Sequence, residues 1–120
     1  MRDLPCPCCG FETLEYEYGS YTICALCGWE DDGVQLANPT SDGGANSMSL
    51  AAAQMSLLNK YPRSVQHAGG FRRGVEWRPL DVNDIEAANA RKTIKHWHSI
   101  AIRWEAEAYW TVAGTTGVKV

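Results

Sequence analysis

Two short cysteine motifs near the N-terminus constrain this 120-residue chain more than any other feature: Cys6-Pro7-Cys8-Cys9-Gly10 and Cys24-Ala25-Leu26-Cys27-Gly28. Each holds a Cys-x-x-Cys-Gly unit. Such a turn aims two sulfurs at one point, and its glycine is free to take a positive φ while backbone N–H groups face the thiolates. Two such turns brought together make a tetrahedral S4 site from Cys6, Cys9, Cys24 and Cys27. Soft thiolates in that geometry favour Zn2+, with iron the other candidate. Four protein ligands leave no open position, so the spacing predicts one structural Zn2+ rather than a catalytic ion. A structural zinc contributes on the order of 10 kcal/mol to folding, enough to decide whether a small sheet folds at all.

All five cysteines lie before residue 28. An odd count, and an N-terminus without an apolar run and cleavage site, argue against disulfides and for a reducing, cytoplasmic setting. Cys8 is left over. It can replace Cys9 as a ligand, act as a nucleophile, or pack as a small apolar residue beside the turn, and the matched spacing favours the last. The Cys-Pro-x-Cys shape of Cys6 to Cys9 also admits thiol redox use. A thioredoxin-like site, however, places its first cysteine at a helix N-terminus, whereas Gly10 and a strand-like run follow here. His96 and His98, two apart on a helix, point about 200° away from each other and cannot share an ion. His67 falls in a Gly-rich connection. With no nucleophile–base pair, no catalytic residue is assigned and no enzymatic activity is expected.

The rest of the chain reads as an ordinary globular domain, 45% hydrophobic and 21% charged. No apolar run approaches the roughly 20 residues of a membrane span. Residues 11–18 and 21–23 predict a hairpin about Gly19-Ser20, with a third short strand in 29–36 broken at Asp32-Gly33. A turn-rich loop over 38–46 follows. Ser47 or Ser49 can then cap a helix over 47–61 with Leu50, Ala53, Leu57 and Tyr61 on one face, flanked by Met55 and Leu58 and stopped by Pro62. Residues 62–80 read as a surface connection in which Arg72 and Arg73 are solvated. At Asp81 an N-cap, Asp84 three residues on, and a Leu80/Ile85 staple predict a helix start. The seam Ala87, Ala90, Ile94, Trp97, Ala101, Trp104, Ala108 carries that helix to residue 113. At 1.5 Å per residue it would be on the order of 45 Å long, more than a compact domain of this size spans, so it must protrude, bend or meet a partner.

The predicted fold class is therefore α+β: a small zinc-ribbon-like antiparallel sheet at the N-terminus packed against a short helix and a long C-terminal helix. It is one domain, 1–120, in four parts: ribbon and loop (1–46), short helix (47–61), connection (62–80) and long helix (81–113).

Three stretches carry a resemblance: Pro5-Cys-Pro-Cys-Cys-Gly10; Tyr21-Thr-Ile-Cys-Ala-Leu-Cys-Gly-Trp-Glu-Asp-Asp-Gly-Val-Gln35; and Gly43-Gly-Ala-Asn-Ser-Met-Ser-Leu50. In order and spacing they resemble the bacterial cysteine-rich CPCC domain family over about residues 4–61. The resemblance implies a zinc-ribbon-like module with Trp29, Glu30, Asp31, Asp32 and the loop 43–46 as signature positions, and it brings no known reaction. Where the family often has an acidic residue after Ser-Leu, this chain has Ala51 to Ala53. Glu30-Asp31-Asp32 has two readings, a recognition patch for a basic partner or a set of turn caps holding the 43–46 loop; turn chemistry favours the second.

Charge sorts the functions. The net of −3 divides into −6 over residues 1–62, eight acids against two basic residues, and +3 over 63–120, nine basic residues against six acids. An S4 zinc site adds about −2 to the ribbon. Nucleic-acid affinity rests on neutralising phosphates, so an acidic ribbon opposes it. Only Arg91, Lys92 and Lys95 on the C-terminal helix offer a basic surface. The sequence thus favours a non-catalytic protein-interaction module in a bacterium, an adaptor or an immunity-type inhibitor. Glu30, Asp31, Asp32, Trp97 and Trp104 are its candidate contacts, and a homodimer through helix 81–113 is one arrangement. The nucleic-acid ribbon and the Cys6–Cys9 redox protein are the alternatives.

Overall fold

The computed structural model describes residues 3–93 and 97–111. The fold is α+β, as expected, but its hairpins are arranged differently from the prediction. Strand β1 (Leu4–Pro5) pairs antiparallel with β2 (Glu12–Leu14), enclosing the first cysteine turn. The second turn sits in a hairpin of its own, with Ile23 bridged to Glu30 and backbone bonds joining Tyr21 and Thr22 to Asp31. Residues 11–18 therefore do not pair with 21–23. Each cysteine turn closes a two-stranded unit, and the chain between them turns through Tyr16 and Tyr21 at φ 63° and 61°. The third strand expected in 29–36 is replaced after Asp31 by a short helix, α1 (Gly33–Ala37). Asp32 starts it, its Oδ1 accepting from the N–H groups of Val34 and Gln35, the standard remedy for orphan donors at a helix start.

Helix α2 (Leu50–Lys60) forms where expected, with Ser49 as its cap. Leu50, Ala53, Leu57 and Tyr61 all join or pack against the core, while Met55 is left exposed. The core gathers Phe11, Leu14, Trp29, Leu50, Trp77 and Trp110 about the cysteines.

Residues 62–80 run over the surface only in part: most of 62–70 is exposed, while residues 73, 74 and 77 are buried. Strands β3 (His67–Ala68) and β4 (Phe71–Arg72) form a hairpin that docks on the first cysteine turn through a Phe11–Arg73 bridge and a Gly74 N–H to Gly10 carbonyl bond of 2.7 Å. Arg73 and Trp77 are buried, at 4% and 6% exposure. Of the two neighbouring arginines, Arg72 is the exposed one, its guanidinium 3.1 Å from the Glu12 carboxylate.

The capping box appears in full: Asp81 and Asp84 each accept the other's backbone N–H at 2.9 Å. The helix it starts, α3 (Val82–Arg91), ends after ten residues, however. The long helix over 81–113 is therefore corrected. Residues 97–99 and 105–107 form single 3-10 turns separated by an extended run. Ile94, Lys95 and His96, and the tail from residue 112, lie outside the described residues. The reason is competition for backbone partners. The ribbon offers the Gly33 carbonyl to the Ile102 N–H (2.9 Å) and the Tyr18 N–H to the Arg103 carbonyl (2.7 Å). Those bonds replace helical ones, and Trp110 then packs edge-on against the ribbon's Tyr18, with Tyr109 edge-on against Trp110. Among the described residues no helix is long and apolar enough to cross a membrane.

Candidate metal centre

The two cysteine turns are built alike. In the first, the Cys6 N–H donates to the Phe11 carbonyl (2.8 Å) and the Gly10 N–H to the Cys6 carbonyl (2.7 Å). In the second, Cys24 and Gly28 make the equivalent bonds to Trp29 (2.8 Å) and Cys24 (3.0 Å). Both glycines take the positive φ that the motif demands, 81° and 83°. At Gly10 there is a second constraint: a Cβ would lie 2.4 Å from the Trp77 ring.

Cys6, Cys9, Cys24 and Cys27 bring their sulfurs within 4.8 Å of one another. Across the turns, Cys6 and Cys27 are 3.7 Å apart and Cys9 and Cys24 are 3.9 Å apart. A tetrahedron with Zn–S bonds of about 2.3 Å has edges of about 3.8 Å. The two cross-turn edges match that length, and the four sulfurs could hold a metal ion.

The same crowding of sulfurs splits their protonation. Burial, then hydrogen bonding with Cys24, pushes the Cys6 thiol well above its ordinary range. Hydrogen bonds from Cys24 and Cys6 hold Cys27 far below it. Cys24 is likewise lowered, to about 6, and Cys9 is raised, so the cluster divides into two sulfurs that favour the charged form and two that favour the neutral one. A divalent cation removes that conflict.

Cys8 does not enter the tetrahedron. It is buried, 2% exposed, and its interaction with Cys27 together with burial raises its thiol. The reading of Cys8 as a small buried side chain beside the turn agrees with its place in the fold.

Sequence reasoning missed Arg73, which holds the centre from behind. Its Nε donates to the Cys9 carbonyl (3.0 Å), Nη1 to Pro62 (2.6 Å) and Val65 (3.0 Å), and Nη2 to Tyr61 (2.9 Å). The guanidinium also lies over the Phe11 ring at 4.6 Å. Burial lowers its pKa, and Cys9 opposes that shift. The available signal was an arginine in a Gly-rich stretch between Phe71 and Trp77, whose aromatics mark the stretch as partly buried.

The acidic signature positions prove to be braces. Asp31 is fully buried, its Oδ2 accepting from the Ser20 N–H (3.0 Å) and hydroxyl (2.7 Å). Asp32 caps α1 and accepts the Ala45 N–H at 2.9 Å. Asn46 clasps Glu30 on both sides, accepting its N–H (2.9 Å) and donating to its carbonyl (2.8 Å). Gln35 donates to the carbonyls of Ser41, Asn46 and Met48, each at 3.1 Å. Gly44 is needed there, since a Cβ would fall 2.7 Å from Asp32 Oδ2. The turn-cap reading of Asp31 and Asp32 is thus the correct one, and their candidacy as contacts for a partner is withdrawn because they are buried. Glu30 remains half-buried at the edge of a groove of about 370 Å³ that also borders Cys27, Trp29, Asn46, Met48 and Leu57.

The remaining candidates are dispersed. Trp104 is 51% exposed beneath the Arg103 guanidinium. Trp97 opens the first 3-10 turn, so the two tryptophans share no helical seam. Arg91 donates to the Ala37 carbonyl and Asn38 Oδ1, and Lys92 to the Thr40 carbonyl, so these two cations tie α3 to the ribbon. His67 and His98 are exposed.

Residues 4–61 match the sequence profile of the family described as Cysteine-rich CPCC. Among curated proteins, none matches the chain. The matched segment holds both cysteine turns, the Asp31–Asp32 braces, the Gly43–Asn46 loop and α2. The chain thus carries a cysteine-rich CPCC domain over residues 4–61.

Proposed function

We propose that this CPCC domain holds one structural Zn2+ through Cys6, Cys9, Cys24 and Cys27, and that the chain is a non-catalytic protein-interaction module acting in the cytoplasm, an adaptor or an immunity-type inhibitor. The observation that carries the metal reading is the pair of cross-turn S–S distances, 3.7 and 3.9 Å, against the tetrahedral edge of about 3.8 Å. With four protein ligands the ion has no position for substrate, and its task is to replace part of a core.

What supports a protein partner is the charge of the ribbon half, −6 before any metal is bound. A basic protein surface would be attracted to it and a phosphate backbone repelled. The nucleic-acid alternative loses ground, since Arg91 and Lys92 are engaged with the ribbon's own carbonyls. With Asp31 and Asp32 buried, the contact surface shifts to Glu30 and Trp104. The homodimer through a helix over 81–113 falls with that helix.

The test joins metal content to partner capture. The full chain should carry one zinc per molecule, and a tagged copy expressed in its native host should retain a basic protein whose binding weakens as salt is raised. Recovery of nucleic acid alone would refute the interaction reading. Iron, or no metal, at equal yield of folded protein would refute the zinc reading.

A further inference from the structure

The two cysteine turns belong to separate hairpins, so their mutual placement depends on contacts outside the turns themselves. One such contact reaches a cluster sulfur. Thr13 is the middle residue of β2 (Glu12–Leu14), in the unit that encloses the first turn. The register shifts there: Leu4 opposes Leu14 and Pro5 opposes Glu12, which leaves Thr13 as the extra residue of a β-bulge. A bulge bends its strand and re-aims a side chain, at the cost of a ladder partner for the extra residue. Glu12 and Leu14 are buried on either side, at 8% and 1% exposure, and Thr13 is half-buried between them. Its Oγ1 lies 3.1 Å from Sγ of Cys24, the first cysteine of the second turn. A side-chain hydroxyl on one hairpin thus touches a candidate ligand on the other.

What Cys24 must do sets the direction of that bond. A thiol and a hydroxyl can each donate, but a sulfur that ligates a metal is a thiolate and can only accept. Thr13 is then the donor. The same sulfur also takes the Cys27 N–H at 3.4 Å, a bond within its own turn. Hydrogen bonds to an ionised acceptor are the stronger class, and both of these draw negative charge off the sulfur. Four thiolates around a divalent cation carry a surplus of about −2, so a donor at one of them stabilises the charged set.

We infer that Thr13 is a positioning residue of the metal centre: its hydroxyl donates to the Cys24 thiolate across the two hairpins, holding that sulfur in the ligand set and tempering its charge. The inference rests on the metal-site reading above. It gives a role to a residue that lies between the cysteine motifs, in none of the three stretches that carry the family resemblance, and it accounts for a bulge at that point in β2. Partners of this outer kind commonly set metal affinity by about 10–100-fold without adding a ligand. The competing role is packing alone, in which the methyl group of Thr13 matters and the hydroxyl does not. Thr13→Val keeps the β-branch and removes the hydroxyl, while Thr13→Ser does the reverse.

The experiment compares the wild type, Thr13→Val and Thr13→Ser as full chains. Zinc affinity is read by competition with a chromogenic chelator, and the sulfur-to-metal charge-transfer band is recorded on the cobalt-loaded forms. Thr13→Val should hold the same number of metal ions per chain but about 10–100-fold more weakly. Its band should move to longer wavelength, because a thiolate deprived of a donor gives up charge more readily. Thr13→Ser should match the wild type in both. Wild-type affinity and band position in Thr13→Val would overturn the role. So would an affinity loss that Thr13→Ser shares or that comes without a band shift, since either marks packing. Should Thr13→Val fail to fold, Thr13→Ala against Thr13→Ser makes the same comparison. A wild-type chain that takes up neither zinc nor cobalt refutes the metal reading and this role with it, whereas a metal-loaded Thr13→Val identical to the wild type refutes the role alone.

Discussion

The ribbon over residues 4–61 and the segment over 62–111 are stabilised in different ways. In the ribbon, order comes from short-range devices tied to individual motif residues: two glycine-closed cysteine turns, the Asp32 cap, the Gln35 and Asn46 clasps. In the C-terminal segment the Asp81–Asp84 capping box and the Glu107 carboxylate, which accepts the Arg103 and Trp104 N–H groups, are of that kind. The rest is held by bonds that span much of the chain, from Arg73 to Cys9, Arg91 to Ala37, Ile102 to Gly33 and Tyr109 to Gln54. The ribbon is thus a template, and the later segment takes the conformation that the template's free donors and acceptors dictate. Such an arrangement makes the ribbon's integrity a condition for order in residues 82–111, whereas the segment just after the ribbon braces it in return through Arg73.

The largest expected effect tests that asymmetry directly. Chelating the metal, or replacing Cys9 with Ser, should remove on the order of 10 kcal/mol and unfold both regions together, visible as loss of amide-exchange protection throughout. Persisting protection in 82–91 alone would show that α3 is independent of the template.

Replacing Arg73 with Ala comes next. It leaves carbonyls of Tyr61, Pro62, Val65 and Cys9 without their donor and empties space against Phe11. The cost should be about 3–5 kcal/mol by chemical denaturation, as for loss of a buried charged partner. Arg73→Lys should recover little, because an ammonium lacks the planar fork that reaches all four carbonyls.

Gly33→Ala is designed to separate the regions. A Cβ there would sit 2.5 Å from the Ile102 carbonyl oxygen, a clash of the kind that costs about 1–3 kcal/mol. We expect proteolysis within 97–104 to accelerate while zinc content stays at the wild-type level. Loss of zinc in this variant would mean that residues 97–104 also support the centre and that the template view is wrong for them.

The smallest effect appears only in alkali. Burial pushes the Tyr109 phenol above its usual value while its hydroxyl donates to the Arg78 carbonyl at 2.6 Å. A raised folded-state value means the neutral phenol is favoured by folding. Its contribution is complete below the unfolded value of about 10 and is lost as pH rises through the folded one. Thermal midpoints should therefore fall above about pH 10 in the wild type. The fall should be shallower in Tyr109→Phe, which lacks the ionising group.

How much of this could be read in advance follows the same division. The ligands, both turn glycines, the Ser49 cap, the apolar face of α2 and the Asp81–Asp84 box were all visible, because each depends on residues within a few positions of one another. The hairpin pairing was misassigned for want of one fact: a cysteine turn brings its own flanks together, so residues 11–14 pair backward with 4–5 and not forward with 21–23. The long helix was misread because a 3–4 spacing of Ala and Trp describes a stripe only if the backbone stays helical. That periodicity carries no information about the competing donors and acceptors at Tyr18 and Gly33. Arg73 was misread because exposure is the usual state of an arginine, and what buried this one was four carbonyls converging from 9, 61, 62 and 65.

Alone, the sequence determined a four-sulfur centre on two equivalent turns, an acidic ribbon half and the positions of two capped helices, since local geometry and charge follow from residue identity and spacing. Only the tertiary structure decided that the Asp31–Asp32 acids are braces, that Arg73 belongs to the interior, that Cys27 borders a groove, and that the C-terminal segment docks on the ribbon in place of a long helix. Each of those depends on which distant backbone groups happen to be free, and that is settled by the packing of the whole chain.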